Sequence, residues 1–144
     1  MNYVYKNITT SDSTMLLKGT NREFTILNKV QIANVSGSDS TVDLYIEAID
    51  VNQTEKLHGS KENGNYNEST DDFATKESKI YYQIKGVIVP VGVTLILFAD
   101  SPCTYYGHYD LRIVASEGID VSVSYEYKGR ELEVAPDGII QNPY

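Results

Sequence analysis

The stretch 80–100, IYYQIKGVIVPVGVTLILFAD, holds two apolar runs joined at Pro90-Val91-Gly92. Pro90 presets φ for a turn and cannot donate to a sheet ladder, while Gly92 can take a positive φ, so the sequence predicts a hairpin here. In the first run Ile80, Tyr82, Ile84 and Ile88 share one phase of a strand. In the second, Val93, Leu95 and Leu97 alternate with the equally apolar Ile96 and Phe98, which predicts a strand buried on both faces.

Outward from this stretch the chain reads as further short strands. Phe24, Ile26, Val30 and Ile32 fall in one phase, with Thr25, Lys29 and Gln31 in the other. From Thr41 to Ile49 the alternation is clean: Val42, Leu44, Ile46 and Ala48 face in, and Asp43, Tyr45 and Glu47 face out. Tyr109, Leu111 and Ile113 alternate with Asp110 and Arg112, and Val121, Val123, Tyr125 and Tyr127 with Ser122, Ser124 and Glu126. Lys128-Gly129 predicts a two-residue hairpin into a last strand at Arg130 to Val134. No helical apolar spacing persists beyond a turn or two, and there is no internal repeat. Turn signals between such strands predict an all-β fold, an antiparallel β-sandwich of about seven to nine strands with Greek-key or jelly-roll crossings. The expected core contains Ile32, Leu44, Ile46, Ile84, Leu95, Leu97, Leu111, Ile113, Val121 and Val123.

A chain of 144 residues predicts one domain, 1–144. Three parts stand outside its strand pattern. Residues 1–20 predict an N-terminal arm or edge strand. The polar loop 51–79 buries too little to fold alone and is either a mobile tip or an arm laid on a neighbour. The tail 136–144 leaves Ile139, Ile140 and Tyr144 with nothing local to pack on.

Composition limits the function. Twenty Asp and Glu against twelve Lys and Arg give a formal charge of −8, which disfavours nucleic acid as a partner. No segment approaches the roughly 18 apolar residues of a membrane span, and MNYVYKNITT carries no basic stretch followed by an apolar run, so no membrane partner or secretion signal is expected. The sequons at Asn7, Asn34, Asn52 and Asn67 are then expected to be unmodified. Cys103 is the single cysteine and can form no intrachain disulfide.

Candidate chemistry is sparse. Cys103, His108 and Asp110 superficially suggest a thiol nucleophile with base and orienter, yet they lie on one loop and strand without an oxyanion donor. With His58 they lack zinc-ligand spacing. Asp50, Asn52 and Glu55, and Glu68, Asp71 and Asp72, offer calcium-type oxygens without an EF-hand pattern. Glu131 and Glu133 share the outward phase of a short strand. Nucleotide-binding and hydrolase glycine motifs are missing. The sequence therefore predicts no catalytic residue, no metal, no cofactor and no enzymatic activity.

Twelve tyrosines with no tryptophan are the informative count, since tyrosine suits both half-buried strands and protein interfaces. Tyr3, Val4, Tyr5, Tyr45, Tyr66, Phe73, Ile139, Ile140 and Tyr144 are the expected protein-contact residues. Tyr105, Tyr106 and Tyr109 could instead stack on sugar.

The pieces VQIANVSGSDSTVDLYI (30–46), YYQIKGVIVPVGVTLIL (81–97) and YDLRIVASEGIDVSVSYEY (109–127), in that order, resemble small accessory structural virion proteins of tailed bacteriophages. The most specific parts are Ile32 to Asn34, Val42 to Ile46, Val89 to Gly92 with Leu95 and Leu97, and Tyr109 to Leu111. The resemblance implies a homo-oligomeric β-sandwich subunit located in the virion, as head decoration, neck or collar, or tail component, with itself and other virion proteins as partners. It brings no catalytic residues. The alternative is a carbohydrate- or receptor-binding module of a tail fibre, with a host surface glycan as partner.

Overall fold

The computed structural model describes residues 1–49, 78–131, 133–134 and 140–141. Among the described residues the elements are all strands: β1 (Asn2–Ile8), β2 (Thr14–Leu17), β3 (Arg22–Asn34), β4 (Ser40–Ile49), β5 (Ser78–Val89), β6 (Thr94–Leu97), β7 (Cys103–Tyr106), β8 (Asp110–Ala115), β9 (Ile119–Glu131), β10 (Glu133–Val134) and β11 (Ile140–Gln141). Two antiparallel sheets pack against each other. One has the order β1-β9-β3-β6, with β7 also on β3, and the other the order β2-β8-β4-β5; β10 and β11 form a separate ribbon.

The pairings are nested. β1 pairs with β9, β2 with β8, β3 with both β6 and β7, and β4 with β5. The chain is thus a long hairpin rolled up so that β3 also pairs β9 and β4 also pairs β8. With β6 and β7 as two halves of one strand position, this is the eight-position, double Greek-key topology of a jelly roll. The expected all-β sandwich is therefore what forms. Nesting also decides the N-terminus: Asn2 to Ile8 pairs with Tyr125 to Ile119 of its own chain, so residues 1–20 supply two edge strands rather than a free arm.

The central stretch corrects the predicted hairpin. β5 belongs to the four-stranded sheet through β4 and β6 to the five-stranded sheet through β3, so Pro90-Val91-Gly92 is a crossover between layers. The turn itself is real, with Val93 N–H donating to Pro90 O at 3.1 Å. Asn34 then binds it on both sides, donating to Val93 O at 3.0 Å and accepting from Gly92 N–H at 3.3 Å. Local turn chemistry bends the chain, but long-range pairing selects the sheet each arm joins. β6 is also not buried on both faces. Leu95 and Leu97 pack on the core, whereas Thr94 and Ile96 face out, because among the described residues no third layer covers the outer side of the sheet.

Bulges explain the other departures. Opposite β9, Leu27 pairs Tyr125 and Lys29 pairs Ser124, leaving Asn28 as an extra residue. The phase flips there: Thr25 and Leu27 are buried before it, Val30 and Ile32 after it, and Phe24 and Ile26 leave the core. On β5, Val87 pairs Val42 while Ile84 pairs Leu44 and Tyr82 pairs Tyr45, so two extra residues break the predicted phase. Gly86 takes φ 66° at one of these breaks, with its N–H bonded to Asp43 Oδ1 at 2.7 Å. Consequently Ile80, Tyr82 and Ile88 are exposed and only Ile84 of that set reaches the core rim. Lys128-Gly129 is likewise a bulge within continuous β9, since Phe24 pairs Lys128 and Arg22 pairs Glu131.

The core lies between the sheets and includes Leu27, Val30, Ile32, Leu44, Leu111, Ile113, Ile119 and Val123, all fully enclosed. Each such side chain contributes about 1.5–3 kcal/mol of burial. Of the expected core, Ile84, Leu95 and Leu97 sit partly buried at its rim, and the other seven are buried.

Candidate functional site

The aromatic surface is built where β7 turns into β8. Alternation along β7 sends Tyr105 inward, 8% exposed, and Tyr106 outward, 53% exposed. The turn is closed by Tyr109 N–H donating to Tyr106 O at 3.0 Å. It brings the Tyr106 ring to 5.9 Å from His108 and 5.5 Å from Tyr109, with His108 and Tyr109 4.5 Å apart. Phe24, opposite Tyr106 in the register, stacks on it at 5.8 Å. Ile46 and Tyr81, paired across β4 and β5, close the other bank of a groove of about 480 Å³ that also contains Thr104.

Tyr105 is removed from the expected sugar platform. Its ring belongs to the core, and burial pushes its phenol well above the ordinary range, with a hydrogen bond to Thr25 acting in the opposite sense. Tyr106 and Tyr109 remain at the groove, joined by Phe24 and Tyr81, which sequence spacing did not connect to them. His108 has its Nδ1 enclosed without a hydrogen-bond partner among the described residues, and burial lowers its pKa, which favours the neutral imidazole.

The structure does not assemble the thiol set. Cys103 donates to Gln83 Oε1 at 3.6 Å, and burial raises its pKa, which disfavours the thiolate. The Asp110 carboxylate is buried on the opposite sheet, accepting the Gly19 N–H at 2.6 Å, so it orients the β2–β3 connection rather than His108. Among the described residues no three His, Cys, Asp or Glu side chains converge. His58, Asp50, Asn52, Glu55, Glu68, Asp71 and Asp72 lie outside the described residues. Glu131 faces Arg22 at 3.9 Å. Of the sequons, Asn34 is buried and Asn7 is bonded to Asp120, while Asn52 and Asn67 lie outside the described residues.

The expected contact residues divide. Tyr3 and Tyr5 are 57% and 73% exposed on the outer face of β1, with rings parallel to within 5° and centroids 6.5 Å apart, while Val4 between them packs on the core. Tyr45 is a correction: it lies on the outer side of its strand yet is 8% exposed, because Tyr82 packs on it at 5.6 Å and its hydroxyl bonds Ser13 Oγ at 2.6 Å. The backbone of Ile140 pairs with that of Val134 within the same chain. Tyr66, Phe73, Ile139 and Tyr144 lie outside the described residues.

Apolar side chains stand exposed along β5 and the crossover: Ile80, Tyr82 and Ile88 on the outer face of β5, Tyr81 on its groove side, and Val91 and Val93 in the crossover. The available signal was the run's lack of alternation, which left it apolar on both faces.

No known family model matches this chain, and no curated protein is similar to it. Its surfaces and its topology therefore carry the functional argument.

Proposed function

We propose that the chain is a non-enzymatic structural subunit of a tailed-phage particle that assembles with copies of itself and contacts other virion proteins, as head decoration, neck or collar, or tail component. The observation that carries this reading is the exposed apolar surface on β5. Among the described residues β5 lies at the end of its sheet, paired on one side to β4, and it exposes Ile80, Tyr81, Tyr82 and Ile88, the last at 60%. Exposed apolar surface along an edge strand favours association with another chain, through side-chain burial and through free backbone N–H and C=O groups.

Charge supports the same reading. Lys79 and Lys85 are the charged residues of β5 in a chain of net charge −8, so the edge is attracted to the acidic surface of a neighbouring copy. The ammonium group of Lys85 lies 4.6 Å from the centre of the Tyr82 ring, which leaves that surface compact. The jelly-roll topology agrees by analogy, since viral capsid domains use it, although lectin domains use it as well. The likeness of 30–46, 81–97 and 109–127 to accessory virion proteins adds the particle context.

Sedimentation of the purified chain tests the assembly. The expected result is an oligomer that Ile88→Lys reduces to monomer without lowering the melting temperature. A monomer at every attainable concentration would sink self-assembly through this edge. Labelling a tag on the chain in purified particles tests the location, and particles that carry no label would remove the virion reading.

A further inference from the structure

We infer that the outer face of the five-stranded sheet carries a binding groove for a neutral oligosaccharide, with the Tyr3–Tyr5 pair as its stacking wall. This goes beyond the assembly reading and does not depend on it, because it uses the opposite sheet from β5.

The wall is set by the backbone. Two residues of strand advance the chain by about 6.6 Å, and the ring centroids stand 6.5 Å apart and parallel within 5°, so β1 itself spaces the two rings. Pairing of the whole of β1 to β9 holds that strand in place. The result is a pair of exposed, parallel rings along one edge, of which Tyr5 lines the groove itself. Pyranose rings present C–H faces that pack on aromatic rings, and a chain of sugars repeats such faces along a line.

The floor is polar and already oriented. The register places Tyr5, Ser122 and Gln31 in one row and Asn7, Asp120 and Ala33 in the next, across β1, β9 and β3. A groove of about 620 Å³ runs over these positions, within the range of small-molecule sites. Ser122 donates to Gln31 Oε1 at 3.1 Å, which leaves the Gln31 amide nitrogen as a donor. Asn7 Nδ2 donates to Asp120 Oδ1, which leaves Asn7 Oδ1 and Asp120 Oδ2 as acceptors. Side chains held by one another in this way lose little freedom on binding. Amide donors beside carboxylate and amide acceptors suit sugar hydroxyls, which both donate and accept.

Charge selects the class of glycan. Asp120 is the charged side chain on the groove's own face, since Lys6 shares the inward phase of Val4, and the groove sits on a chain of net charge −8, so both the site and the chain repel anions. A neutral glycan matches both conditions. The groove near Tyr106 and Tyr109 has aromatic walls too, but Thr104 and the tyrosine hydroxyls are its polar groups, with no comparable amide and carboxylate floor.

Electrophoresis through native gels containing hydroxyethylcellulose, xylan, galactomannan, dextran or the anionic alginate tests the proposal. The expected result is retardation by at least one neutral polysaccharide and none by alginate. Tyr3→Ala with Tyr5→Ala should abolish the retardation, and so should Gln31→Ala, which keeps both rings and guards against a folding defect in the double variant. Tyr106→Ala should retain it. No retardation in any neutral gel overturns the proposal. So does retardation that survives loss of both tyrosines, equal retardation by alginate, or self-association that the double variant abolishes when no gel slows the chain. That last outcome would assign the ridge to a second copy.

Discussion

Asn34 on one sheet donates its Nδ2 to the backbone carbonyl of Val89 on the other, at 2.8 Å and away from solvent. The same amide donates to Ser38 O at 2.8 Å, and its Oδ1 accepts from Ser36 N–H at 2.9 Å and Ser36 Oγ at 2.7 Å. One side chain thus joins the β3–β4 turn to the end of β5, and its backbone holds the β5–β6 crossover. Asn34→Ala should cost about 2–4 kcal/mol in urea denaturation, since each buried group left unpaired costs about 1–3 kcal/mol. Asn34→Asp, of the same shape, should be no milder, because a carboxylate would face the Val89 and Ser38 carbonyls without a donor. A loss under about 0.5 kcal/mol for Asn34→Asp would show that this link carries no load.

Two leucines that look equivalent in the sequence should behave differently. Leu111 is fully enclosed, so Leu111→Ala should cost about 2–5 kcal/mol through lost transfer energy and the cavity left behind. Leu95 lies at the rim on an edge strand, where neighbours can settle and water can enter, so Leu95→Ala should cost about 1–2 kcal/mol. Equal losses in parallel denaturant curves would contradict the different burial of the two.

The hydroxyl of Tyr45 links it to Ser13, and Arg112 Nη1 also donates to Ser13 Oγ at 3.2 Å, so a connection before β2 is tied to the middle of the sheet. Tyr45→Phe keeps the ring on Tyr82 and removes that tie. The expected loss is about 0.5–1.5 kcal/mol by calorimetry. If Tyr45 were instead a free contact residue, the monomer's stability would not change.

His108 should make the fold acid-sensitive. Burial lowers its pKa in the folded chain, so below its ordinary value of 6.5 the unfolded chain binds the proton more readily than the native one. Stability from the neutral ring is complete above that pH and is lost as pH falls toward the lowered folded value. His108→Gln should shrink the drop in melting temperature between neutral and mildly acid pH, relative to the unchanged chain. An identical drop in both would mean that the carboxylates alone cause it.

Strand identity was written into the sequence where alternation is local. The clean periods at Val42 to Ala48, Leu111 to Ile113 and Val121 to Val123 name their buried faces correctly because successive side chains of a strand must point to opposite sides. Burial of Tyr105 and exposure of Tyr106 followed from the same rule, yet two adjacent tyrosines gave no sign of which would face in. Sheet membership was not local. The Pro90 to Gly92 turn has the same chemistry whether its arms share a sheet or cross between two, and only the competition of β3 and β4 for partners chose the crossing. Bulges at Asn28, on β5 and at Gly129 inverted phases that a strict period of two carried straight through. The groove beside Tyr5 shows the limit most plainly: residues 5, 31 and 122 meet in one row because nested pairing brings β1 beside β9, and no short-range pattern contains that distance.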